Sequence, residues 1–154
     1  MNTFKLSSKE DCKALKWVQS ATSKDREALK GFLVDGDSTV AADGFRMHVI
    51  PTPEPLHDSI GVQGKIIKPN NTIGITPRIE EYEVIDARFP QWEEIVPSDE
   101  PVFRIRINKN YLAALKDMPT DNESLLLEFT DSKHPVKVTG SEGCTAVIMP
   151  MKLD

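Results

Sequence analysis

Twice along this chain a two-faced helical stretch is followed by three short strand-like runs, and no other feature limits its possible folds as sharply. Residues 4–6 read as a short strand and Ser7 or Ser8 as a helix cap, with Glu10 and Asp11 placed in the first turn to complement the positive helix end. Along residues 9–20, Cys12, Leu15 and Val18 recur at helical spacing and supply a buried stripe, while Lys9, Lys13 and Lys16 recur on another side. Strand-like runs follow at 28–35, 39–42 and 45–50, punctuated by Asp35-Gly36 and Asp43-Gly44, pairs that favour hairpin turns of positive φ. Pro51, Pro53 and Pro55 make 51–59 a surface connection, after which strands are expected at 59–68, 72–76 and 78–85.

The second instance begins at 102–107, where Arg104 and Arg106 share one face of a period-two alternation and Phe103, Ile105 and Ile107 the other. Asn108 caps a helix over 109–118 with Tyr111, Leu112, Leu115 and Met118 as its apolar stripe, and Pro119 stops it. Strands fit 124–129, 135–139 and 144–149. Each helix with its half-sheet is too small to bury its own apolar side, whereas two such copies packed together share a core. The expected fold is therefore α+β, a single domain over residues 1–154 made of two strand-helix-three-strand halves with pseudo-twofold symmetry.

Charge narrows the function classes. The formal net charge is −5, which excludes uniform coating by nucleic acid but leaves room for a local basic face. Residues 1–30 carry seven Lys/Arg against four Asp/Glu, an excess of +3 set against the general acidity. Lys9, Lys13 and Lys16, with Lys109 and Lys116 on the second helix, are thus the candidates to face a DNA backbone without reading its bases. From Glu80 to Glu100 there are eight acids and one base, Arg88, a segment that is strongly solvated or faces a basic partner. No run approaches 18 apolar residues, which excludes a spanning helix. With no secretory apolar region and no disulfide framework, Cys12 and Cys144 read as reduced thiols of a cytoplasmic protein.

Nothing in the sequence assembles a catalytic centre. His48, His57 and His134 are widely separated, no Cys-x-x-Cys or His-x-His occurs, and neither a metal nor an organic cofactor is expected. The glycines form no phosphate loop, and Asp35, Asp37 and Asp43 are accounted for by turns. Cys12 lies on an apolar stripe, the place of a structural thiol rather than a nucleophile. The chain is not expected to be an enzyme.

Three segments carry a family resemblance. Ala41-Ala42-Asp43-Gly44-Phe45-Arg46-Met47 resembles the Thr-Asp-Gly-His-Arg-Leu region of the bacterial replicative sliding clamp, the beta subunit of DNA polymerase III. Val84-Ile85-Asp86-Ala87-Arg88-Phe89-Pro90-Gln91-Trp92-Glu93-Glu94-Ile95-Val96-Pro97 resembles its Asp-Gly-x-Phe-Pro-Asp-Tyr-x-x-Val-x-Pro segment, and Val147-Ile148-Met149-Pro150-Met151-Lys152-Leu153 its Val-Met-Pro-Met-Arg-Leu ending.

The resemblance implies a DNA-clamp-like domain, a non-catalytic processivity or docking factor whose family forms a ring around duplex DNA and takes linear peptides of polymerases and repair proteins in a surface cleft. It assigns that cleft to Gly44, Phe45, Arg46 and Met47, to Pro90 and Ile95, and to Val147, Met149, Pro150, Met151, Lys152 and Leu153. Ala42 stands where the family has threonine, Phe45 where it has histidine and Lys152 where it has arginine, and Asp154 follows the usual ending. A family chain has three domains and this one has room for one, so encirclement implies a homo-oligomer, a homohexamer for a six-domain ring. The alternative is a non-encircling clamp-like interaction or regulatory protein with a peptide-binding cleft.

Overall fold

The computed structural model describes residues 2–141 and 143–153, so Asp154, the extra acid of the tail, lies outside it. The chain divides into two compact units, Met1–Pro97 and Ser98–Asp154.

The first unit is built on a six-stranded antiparallel sheet. Its strands are β1 (Asn2–Lys5), β2 (Phe32–Asp35), β3 (Ser38–Ala42), β4 (Met47–Pro51), β5 (Lys65–Pro69) and β6 (Ile79–Ile85), in the order β1-β6-β5-β2-β3-β4. Helix α1 (Lys9–Gln19) starts where the cap demands it, the Ser8 hydroxyl accepting from the Asp11 amide at 3.1 Å. Cys12, Leu15 and Val18 turn inward as the periodicity predicts and meet Phe4, Phe32, Val34 and Ile67 of the sheet. Each large side chain buried there contributes on the order of 1.5–3 kcal/mol.

Residues 51–80 behave differently from their expected role as a connection followed by strands. Pro53 and Pro55 open a short helix, α2 (Glu54–His57), since the first helical turn has no use for their missing N–H groups, and Leu56 is fully buried. Residues 60–62 form a 3-10 turn, and Gly64 at φ 72° resets the chain so that β5 begins only at Lys65. That strand enters the middle of the sheet, between β2 and β6. Residues 72–76 form no strand, because the Gln19 side chain takes the place of a ladder partner: its Oε1 accepts from the Ile73 amide at 2.7 Å and its Nε2 donates to the Asn71 carbonyl at 3.3 Å.

The second unit has a three-stranded antiparallel sheet of β7 (Leu126–Glu128), β8 (Val136–Thr139) and β9 (Thr145–Ile148), in that order. Its core is small: Val136, Val138 and Ile148, with Ile105, Ile107, Leu115, Met118 and Leu125 packed on it. The Asn108 side chain caps helix α3 (Lys109–Ala114), whose last turn tightens into a 3-10 turn at Leu115–Asp117. The strand expected at 102–107 is reduced to one bridge, Arg106 opposite Met151. The order of a pairing segment, a helix and three strands nevertheless recurs. Among the described residues, no helix is long and apolar enough to cross a membrane.

Candidate functional site

The first resembling segment closes the β3–β4 hairpin as a loop of four residues, 43–46, with Ala42 paired to Met47. Asp43 organises it. Its Oδ1 accepts from the amides of Phe45 at 2.9 Å and Arg46 at 3.0 Å, and its Oδ2 accepts from Arg46 Nε at 3.2 Å. The Phe45 amide first, and then the amide and guanidinium of Arg46, hold this carboxyl below its ordinary range. Gly44 takes φ 93°, where a side chain would be strained. The result is that Phe45 is thrust out (95% exposed) and Met47 is half-buried. The Arg46 guanidinium also donates to the Ser20 carbonyl at the end of α1.

The second segment leaves β6 and is anchored by Trp92, whose indole Nε1–H donates to Asp35 Oδ2 at 3.0 Å. A groove of about 810 Å³ runs along it, with Pro90 in its wall beside Phe89, Trp92, Leu33 and the acids Asp35, Asp86, Glu93 and Glu94. Ile95 is exposed. Asp35 faces Ser38 at one end of β3, and the loop 43–46 lies at the other. The loop and the Trp92 anchor point therefore stand roughly 15 Å apart along that strand.

The tail segment belongs to the second unit. Val147, Met149 and Met151 are exposed, Met149 at 62%, and the Met151 amide donates to the Arg106 carbonyl at 2.6 Å. Val147 and Met149 line a groove of about 710 Å³ with Tyr111, Leu115, Met118 and Pro119. Pro150, Met151, Lys152 and Leu153 line a separate recess of about 420 Å³ with Ser132 and Lys133. The tail thus borders two depressions rather than one, the first apolar and the second partly lined by Ser132, Lys133 and Lys152.

The five lysines of the basic-face expectation are all exposed: Lys9, Lys13 and Lys16 on α1, Lys109 on α3 and Lys116 in the turn after it. Both thiols are free, and burial, followed by the Asp11 carboxylate, pushes Cys12 upward, so it is a protonated core thiol. Among the described residues no group of three or more His, Cys, Asp or Glu is placed to hold a metal. Two aromatic contacts escaped the sequence reading: the Trp92–Asp35 bond and a stack of Trp17 on His48. Trp17 flanks the basic stripe of α1, and its position outside the apolar stripe was the available signal.

No family model and no curated protein matches the sequence. Solved structures do. The beta sliding clamp of C. crescentus aligns with a TM-score of 0.60 at 18% identity, covering 97% of this chain and 50% of that one. A DNA polymerase sliding clamp of Pseudomonas aeruginosa aligns at a TM-score of 0.44 and 14% identity, over 98% of this chain and 67% of that one. A Helicobacter pylori beta clamp bound to a DNA ligase peptide aligns at a TM-score of 0.30 and 14% identity, over 98% and 66%. This chain spans half the length of the C. crescentus clamp and shares its α+β, sliding-clamp-like fold.

Proposed function

We propose that the protein is a non-catalytic, sliding-clamp-like docking factor that binds short linear peptides of replication or repair proteins and turns lysine-bearing helices toward duplex DNA. The observation that carries this reading is the groove beside the tail. Two exposed methionines flank Pro150, and the first of them, with Val147, borders an apolar depression of about 710 Å³. Flexible thioethers suit a pocket that accepts more than one apolar side chain. An extended peptide would set alternate side chains into the depression, with Lys152 available to a peptide carboxylate.

A clamp-binding peptide is expected to bind at micromolar concentration, about −8 kcal/mol. Replacing Met149 and Met151 together by alanine should raise the dissociation constant roughly tenfold or more while the far-ultraviolet dichroism stays unchanged. Phe45→Ala, Met47→Ala and Pro90→Ala, made singly, test the contributions that the resemblance assigns to the first unit, and Ile95→Ala completes the set. Absence of saturable binding by well-folded wild type across a varied peptide panel would overturn the proposal.

A further inference from the structure

Trp17 lies on the same helix as the core residues Leu15 and Val18, which are fully buried, yet the residue is 51% exposed. It lies flat on the His48 imidazole, the ring centroids 3.8 Å apart and the planes within 7°. The pair is held from both sides. His48 Nδ1–H donates to the Trp17 carbonyl at 2.8 Å, which fixes the imidazole on its strand against the helix. The Arg46 guanidinium, from the loop that leads into that strand, donates to the Ser20 carbonyl one turn further along α1. Lys13 stands one turn before Trp17 on the same side of the helix, and Lys16 and Lys9 continue the exposed row.

A rigid planar surface kept in water beside a row of cations has the two elements by which proteins hold unpaired nucleic acid, a stacking face for a base and a track for its phosphates. Duplex DNA uses only the second, because its bases are already stacked on one another. We infer that the Trp17–His48 stack seats an unpaired nucleobase of a single strand, DNA or RNA, whose phosphates run along Lys9, Lys13 and Lys16. This rests on the reading of the lysine row as phosphate-facing; the stacking seat is the addition.

The sequence has two tryptophans, so a Trp92→Phe background leaves Trp17 as the only indole reporter. In that background, oligothymidylate and oligouridylate of about a dozen nucleotides, an abasic strand of equal length and a duplex are titrated at fixed salt. Quenching of Trp17 by either or both base-bearing strands supports the seat and names the sugar it tolerates. Read by the anisotropy of dye-labelled strands, which needs no indole, Trp17→Leu should weaken oligothymidylate binding by roughly 5- to 100-fold and leave the abasic strand unaffected, with Trp17→Phe restoring most of the loss. Lys13→Gln with Lys16→Gln should weaken both strands. Dichroism confirms that each variant is folded. Equal affinity of wild type and Trp17→Leu for oligothymidylate would overturn the stacking seat; if the lysine variant still loses affinity, the phosphate-facing reading survives. Failure of wild type to bind any of the four probes would overturn both.

Discussion

Glu80 is a carboxylate sunk into the packed side of β6, with 5% of its side chain exposed, and it is held there by Arg78 Nε at 2.6 Å. Arg78 also donates to the Thr72 carbonyl at 2.9 Å, so it ties the irregular segment after β5 to the strand that follows. Arg78→Ala would leave the charge with less compensation; because Arg78 itself is 52% exposed, solvent screens part of the loss, and the expected cost is about 1–2 kcal/mol by urea denaturation. Glu80→Gln, which keeps an acceptor, should cost less. Two histidine–carboxylate pairs set opposite pH dependences. Asp37 Oδ1 accepts from His57 Nε2–H at 2.8 Å, and that bond, the first cause, raises the imidazole above its ordinary 6.5. Its contribution is complete below that value and is lost as pH rises through the folded one, so the thermal midpoint should fall from about pH 6 to about pH 8, and Asp37→Asn should flatten the slope. Asp131 is drawn down to about 2, chiefly by the His134 imidazole, and its contribution holds above the ordinary 3.8 and disappears as pH falls toward 2. Proton exchange followed by NMR separates the two.

At the scale of elements, α1 is the test of local coding. Ser8→Ala removes the cap bond to the Asp11 amide and should cost about 1 kcal/mol, whereas Leu15→Ala, in a fully buried position, should cost about 2–5 kcal/mol. That helix, the β2–β3–β4 meander and all three strands of the second unit were legible because cap, periodicity and turn residues agree within a few positions of one another. Elements whose form depends on a distant partner were not. Residues 102–107 alternate perfectly, but a strand needs a ladder, and this segment has one bridge, Arg106 opposite Met151. Residues 72–76 were taken from their neighbours by Gln19, more than fifty positions away. The prolines of 51–55 marked a break in the sheet but gave no hint that Leu56 would be carried into the core. The candidate site divides along the same line. The hairpin at Asp43-Gly44 was legible, but its loop also takes in Phe45 and Arg46, which were expected in the strand that begins only at Met47, and the Trp92–Asp35 bond and the Trp17–His48 stack join residues that no local spacing connects.

At the scale of the whole molecule, the described residues form two open sheets, with β1 and β4 at the edges of one and β7 and β9 at the edges of the other, and a sheet edge can accept another strand. The second unit adds apolar exposure: α3 buries none of its residues, and both Leu126 and Leu127 of β7 are exposed. Where copies of this fold join head to tail around a duplex, the contacts are heterologous and close only at the right rotation, a small error giving an open chain. DNA phosphates held along Lys9, Lys13 and Lys16 would add negative charge to copies that each carry −5, so assembly on DNA should be sensitive to salt. Encirclement has a signature that simple affinity lacks: at physiological salt the protein should stay on closed circular DNA and slide from a linear molecule of the same sequence. Light scattering over a concentration series, with and without the circle, reads the assembly directly. Species heavier than 17.2 kDa on the circle, with loss from the linear molecule, support the ring. A persistent 17.2 kDa species in both conditions rejects it and leaves peptide docking, whose groove lies within the second unit alone, as the function to be tested.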